Sequence, residues 1–180
     1  MPRIRRVVTG IDGSGRSAVL IDDQSSRTCT WTSDPASSPN IAWIWATDDM
    51  PWVPFSGGDP THDIDQFLPP RGGIRFTIQT YEPGFGVGAD ELAVPRQALR
   101  DAGFRTLASG GDSSFHATST VDFAIVLSGE IWLLLEGREE VKLVMGDCLV
   151  QNGVIHAWQN RSSEPCSIGL VIIGADGSQD

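Results

Sequence analysis

The sequence predicts an all-β protein: a jelly-roll barrel with an N-terminal β-rich extension and one short helix around residues 91–102. Two observations carry this. Short runs of β-branched, aromatic and aliphatic residues recur along the chain, each closed by a cluster of Gly, Pro, Asn or Asp. Only one segment has helical signals and no internal repeat is present, so one barrel is expected and not two.

Residues 4–9 and 16–21 read as a hairpin that turns at Asp12-Gly13-Ser14-Gly15. GSGRS lacks the spacing and the Lys of a phosphate loop, so a turn is the better reading. Residues 28–55 hold Trp31, Trp43, Trp45 and Trp52. Within them, 41–46 form a short strand whose period of two puts Trp43 and Trp45 on one face, as core, dimer surface or ring-stacking platform. Residues 56–73 are loop by composition, and His62 beside Asp63 and Asp65 reads as a solvated loop histidine. Residues 74–81 alternate as a strand, with Ile74, Phe76 and Ile78 on one face and Arg75, Thr77, Gln79 and Tyr81 on the other. The helix follows: Asp90 caps it, Pro95 suits its first turn and Gly103 stops it. It is either a lid over the barrel mouth or a structural flap.

From residue 115 onward the pattern is strand, turn, strand. Residues 123–135, 140–144, 148–151, 157–160 and 167–173 are the strands, with turns at Gly137-Arg138 and Met145-Gly146-Asp147. The expected organisation is one compact domain: 1–73 as N-terminal strands and loop packing on the barrel or on a dimer partner, and 74–176 as the barrel.

The 180 residues are 40% apolar, enough for one core without staples. The net charge of -10 argues against a nucleic-acid partner, which needs a basic face. Cys29, Cys148 and Cys166 are an odd set without C-x-x-C and read as small buried thiols in a reducing compartment. The N-terminal MPRIRRVV runs into TGIDGSG and not an apolar stretch, and no apolar run approaches ~18 residues. No secretory signal, no membrane partner and a cytoplasmic location are therefore expected.

The chemistry concentrates in one region. Gly110, His116, Thr118, Asp122 and Gly129 keep the spacing G-x5-H-x-T-x3-D-x6-G, and Gly146, Gly153, His156 and Asn160 follow. This two-part pattern resembles the signature of the cupin superfamily, small β-barrels that usually hold a metal between the two motifs. The resemblance covers roughly residues 74–173. Position by position, His116 stands at the first-His position, Thr118 at the second, Asp122 at that of the Glu and His156 at the final His. Gln151 stands where a Pro is usual, and the spacer after Gly146 is one residue short. A straight strand would separate His116 from Asp122 by ~20 Å, so a shared site requires a bend near Ser119-Thr120.

The resemblance implies one divalent metal (Fe, Zn, Mn or Ni) on His116, Asp122 and His156, with Asp122 as general base if it is not a ligand. Thr118, Trp158 and Gln79 are the expected substrate contacts. Trp158 shares the parity of His156; Ala124 and Val126 share that of Asp122, with Trp132 further along. Asn160 reads as a turn or strand-end residue and not a catalytic one. The leading function is a metal-dependent enzyme acting on a small oxygen-rich or aromatic molecule, as a lyase, decarboxylase, isomerase or Fe(II) dioxygenase. The alternative is a metal-free barrel that binds a small molecule without catalysis. A structural accessory protein is the third reading. A homodimer is implied by the resemblance and by the Trp-rich first third.

Overall fold

A computed structural model describes residues 4–25, 27–30, 38–88, 99–100, 102–106 and 114–176. The N-terminal hairpin is β1 (Arg5–Ile11) and β2 (Ser17–Gln24), closed at Asp12, whose side chain accepts from the Ser14 and Arg16 amides. It is tied to the rest of the molecule by Arg6, which is 6% exposed and bonds Asp23, Asp59 and the carbonyl of Ile44.

A six-stranded sheet runs in the order β11 (Cys148–Gln151), β8 (Thr120–Ser128), β13 (Cys166–Gly174), β5 (Ile74–Tyr81), β4 (Asn40–Thr47) and β3 (Thr28–Cys29). A five-stranded sheet runs β10 (Glu140–Val144), β9 (Glu130–Leu135), β12 (His156–Gln159), β7 (His116–Ala117) and β6 (Arg105–Thr106). Every pairing is antiparallel, and the sheets enclose an apolar cluster that includes Val126, Ile131, Cys166 and Ile168. The six-stranded sheet crosses the 73/74 boundary, because β4 pairs with β5 along its length.

The chain changes sheet between His116 and Asp122. It leaves β7 at Ala117, passes Thr118 and Ser119, and enters β8 at Thr120, so the expected bend is present. The run 123–135, expected as one strand, is two: at Gly129 (φ +73°) the chain turns out of β8 into β9 of the other sheet, and an added Cβ would lie 2.5 Å from the carbonyl oxygen of Pro165, leaving room only for glycine. The loop 56–73 holds one 3-10 turn, Pro60–Asp63, capped by the Asp59 carboxylate on the Thr61 amide. The helix expected over 91–102 lies mostly outside the described residues, of which Leu99 and Arg100 are helical.

Two expectations about faces are corrected. Trp43 and Trp45 do not share a face, because a bulge between them breaks the period of two: Trp43 pairs with Thr77 and Trp45 with Phe76. Trp43 turns into the core, 2% exposed under the Arg27 guanidinium, while Trp45 packs edge-on against Phe55. Trp132 is not on the inward side either; Ile131 and Leu133 are the buried neighbours, and Trp132 lies beneath Arg161, 4.6 Å away.

Strand β5 carries the polar wall inward. Arg75, Thr77, Gln79 and Tyr81 are all 5% exposed or less, whereas Phe76 is 38% exposed. Arg75 is tolerated there because the carbonyls of Gln66, Thr47 and Ile74 and the carboxylate of Asp48 take its donors.

Candidate functional site

Between the two sheets lies a cavity of about 120 Å³. That is on the scale of the ~150 Å³ cavity known to admit one benzene ring. Its polar groups come from both sheets.

On the five-stranded side, His156 of β12 is the direct cross-strand partner of His116 of β7. Directly opposed residues point to one face, and the ring centroids lie 4.7 Å apart at 52°. Each Nδ1 donates to a backbone carbonyl two residues earlier, Ser114 for His116 and Val154 for His156, both at 2.9 Å. A carbonyl only accepts, so both Nδ1 atoms carry the proton, and in the neutral rings both Nε2 atoms keep a lone pair. Burial holds the His116 pKa below the usual imidazole value. Burial, then the proximity of His116, lowers His156 to about 4. Phe104 packs edge-on against His116 at 5.3 Å and Trp158 edge-on against His156 at 5.8 Å, so the pair sits inside a row of four rings.

On the six-stranded side, Asp122 of β8 lines the cavity. Desolvation raises its pKa to about 6, opposed in part by a hydrogen bond from the Thr120 hydroxyl. Thr120 in turn bonds Thr118 at 2.6 Å. Positions 118, 120 and 122 thus form one chain of polar contacts, and the Thr118 hydroxyl is engaged within it. Gln79 also lines the cavity, with its amide between Tyr81, whose hydroxyl donates to Oε1 at 2.8 Å, and Thr77. Burial first, then the nearby Cys166 and Asp122, push the Tyr81 hydroxyl pKa up.

Of the residues expected at the site, His116, Asp122, His156, Thr118, Trp158 and Gln79 all line this one cavity. His62 is elsewhere, 3.3 Å from Asp59. Asn160 sits at the strand end, directly after β12, fully buried, donating to the carbonyls of Tyr81 and Glu164 and accepting from Ser162. Sequence reasoning misses Gln151, Tyr81 and Phe104 as cavity-lining residues, and Thr120 as the partner of Thr118 behind the lining. A parity signal exists for Thr120, two residues from both Thr118 and Asp122. None exists for Gln151, whose place follows from its register opposite Asp122.

The fit to a divalent metal is incomplete. Two adjacent imidazole Nε2 atoms suit such an ion. Among the described residues, however, no three His, Cys, Asp or Glu side chains converge as a ligand group. The expected set of His116, Asp122 and His156 is therefore not assembled: its carboxylate belongs to the other sheet, and Thr118, between β7 and β8, has its hydroxyl bonded to Thr120.

Residues 103–173 match the family model for the cupin domain. The chain is 31% identical over 160 residues to a cupin-domain-containing oxidoreductase, fogC, of Aspergillus ruber, covering 89% of this chain and 66% of that protein. It is 47% identical over 53 residues to the phomopsin biosynthesis cluster protein C' of Diaporthe leptostromiformis, covering 29% and 28%. The match thus spans less than two thirds of either curated relative's length. A solved structure of a conserved double-stranded β-helix protein from Klebsiella pneumoniae superposes with a TM-score of 0.44 at 14% identity, covering 77% of this chain and 78% of that one. The chain belongs to the cupin superfamily. No helix among the described residues is long and apolar enough to cross a membrane.

Proposed function

We propose that this cupin is an enzyme that moves a proton on a small, mainly apolar substrate held between its two sheets. The observation that carries this is the fixed tautomer of the paired imidazoles: both Nδ1 protons are committed to backbone carbonyls, so both Nε2 lone pairs are available inside an apolar cavity. A neutral imidazole in that state accepts a proton, and Asp122 lines the same cavity as a second acid–base group. Trp158 and Phe104 would bracket the substrate as ring surfaces. Phe104 and His116 form an edge contact already, which favours a flat ligand beside them.

The test is solvent-deuterium exchange. Small ring ketones and lactams with acidic C–H bonds are incubated with the protein in D2O, and NMR reads the loss of the C–H signal. Exchange on at least one compound is expected, falling by ~10²-fold or more in His116→Ala or His156→Ala. A panel without enzyme-dependent exchange, or exchange unaffected by both substitutions, would sink the reading.

A second reading retains one divalent metal (Fe, Zn, Mn or Ni) on His116 and His156. One observation favours it: the two free Nε2 atoms come from adjacent cross-strand residues. A bound ion would supply Lewis-acid polarisation of a substrate oxygen, which is compatible with the oxidoreductase name of the Aspergillus ruber relative. Elemental analysis decides: stoichiometric metal lost in either histidine variant supports this reading, and metal-free protein from every growth condition opposes it.

A homodimer is proposed through the outer face of the six-stranded sheet. Val150, Phe123, Val171, Phe76 and Trp45 stand opposite one another across five strands there. Val150, Phe123 and Phe76 are 52%, 47% and 38% exposed, an apolar row that a second copy would cover. A light-scattering mass near 19.4 kDa would contradict it.

A further inference from the structure

We propose that Asp122 and Gln151 are the recognition pair of the cavity, selecting an uncharged ring that carries an N–H donor beside a carbonyl acceptor, as in a lactam. This deepens the proposed function and rests on its reading of the cavity as the ligand site.

Gln151 of β11 and Asp122 of β8 are direct cross-strand partners in antiparallel register. Their Cβ atoms are therefore ~5 Å apart on one face, and both residues line the cavity. Gln151 is 5% exposed, yet its Nε2 has no partner, and neither has Asp122 Oδ1. Buried polar groups are nearly always bonded, and each that is not needs an explanation. A buried donor and a buried acceptor on neighbouring residues of one cavity wall, not bonded to each other, have one natural complement: a ligand edge with the acceptor and donor reversed.

The rest of that wall is engaged. Gln79 is held between Tyr81 and Thr77, and Thr118 is held by Thr120. Selection therefore falls to the 122/151 pair. An ionised carboxylic acid is disfavoured, since it would bring a second negative charge to Asp122. A lactam offers C=O to Gln151 Nε2 and N–H to Asp122 Oδ1 without charge. A single six-membered ring is compatible with a cavity of about 120 Å³.

The experiment measures binding of 2-pyridone and N-methyl-2-pyridone to the full chain at pH 8 by calorimetry or ligand-observed NMR. The methyl group removes only the donor. Wild type is expected to prefer 2-pyridone by tenfold or more. Gln151→Leu and Asp122→Leu, with circular dichroism confirming the fold, should each reduce that preference to threefold or less. Gln151→Met is the reserve variant if Gln151→Leu does not fold. Equal affinities in wild type, binding of neither compound, or a folded Gln151 variant that keeps the preference would overturn the pair. His116→Ala is expected to keep the preference, since it leaves 122 and 151 intact. A selective wild type that shows no deuterium exchange sinks the proposed proton transfer alone, whereas exchange without selectivity sinks this inference alone.

Discussion

The two walls of the cavity differ in how their polar groups are satisfied. On the five-stranded sheet, each histidine commits one nitrogen to its own backbone, and burial keeps the ring neutral. On the six-stranded sheet, Asp122 Oδ1 and Gln151 Nε2 are buried without a partner. The first wall is organised before any ligand arrives. The second carries a desolvation cost that a ligand can relieve. The pairing of a pre-set reactive face with an unsatisfied selective face is a reason to look for small-molecule chemistry here.

The largest effect should come from the support of the first wall. Asn160 follows β12 and ties it to the end of β5 through the Tyr81 carbonyl, and its side chain also bonds Glu164 and Ser162. Asn160→Ala leaves several buried groups unpaired, and a loss of about 3 kcal/mol is expected from the urea midpoint. A loss below ~1 kcal/mol would mean that the histidine wall stands without this anchor.

Acid–base linkage separates the walls next, because their groups move in opposite senses. Asp122 has a folded pKa of about 6, above its ordinary value of 3.8. The fold therefore favours its protonated form, a cost to stability that is full above pH ~6 and relieved as the pH falls toward ~4. His156 has a folded pKa of about 4, below its ordinary 6.5. Its contribution is intact above pH ~6.5 and lost as the pH falls toward ~4, and His116, also depressed, acts in the same sense. The two walls thus oppose each other between pH ~4 and ~6.5. Asp122→Asn is expected to raise stability by about 2 kcal/mol at pH 8, with the gain vanishing near pH 4. The size follows from the gap between the folded and ordinary pKa, at about 1.4 kcal/mol per pH unit and reduced by solvent screening. His156→Gln should weaken the acid-side loss by a similar ~2 kcal/mol. Urea midpoints at pH 4, 6 and 8 check both. A gain in Asp122→Asn that is the same at every pH would show that its carboxyl is not the titrating group.

Much of this is legible in the chain. The turn at Asp12–Gly15 and the alternation of 74–81 mark a hairpin and a strand, because period-two patterns and glycine turns leave direct traces in sequence. The turn at Gly129 does not stand out in the same way, since apolar β-formers flank it on both sides and 123–135 reads as one run. The spacing of His116, Asp122 and His156 brings all three to one cavity. What cannot be read depends on register. The bulge at Trp43–Trp45 reverses a parity that the sequence alone presents as unbroken. The assignment of Gln151 requires knowing that it lies opposite Asp122, 29 positions away along the chain. Thr118 reads as a substrate contact because the bond that engages its hydroxyl, to Thr120, is invisible in one dimension. The three-ligand metal set fails for the same reason: the bend that joins His116 to Asp122 also carries them to different sheets.

The smallest effect contrasts two buried glutamines on the same sheet. Gln79 has its Oε1 filled by the Tyr81 hydroxyl and its Nε2 by Thr77, while the Nε2 of Gln151 is empty. Removing a partnered amide strands its partner, so Gln79→Leu orphans a buried tyrosine hydroxyl and should cost about 1–2 kcal/mol. Gln151→Leu deletes an unpaired donor and keeps the volume, so it should leave stability unchanged or raise it by about 0.5–1 kcal/mol in the absence of ligand. Thermal melts of the two variants measured side by side give the sign directly. If Gln151→Leu were destabilised as much as Gln79→Leu, its amide would already be satisfied within the protein. The six-stranded wall would then be as complete as the histidine wall, and its selectivity for a ligand would have no source.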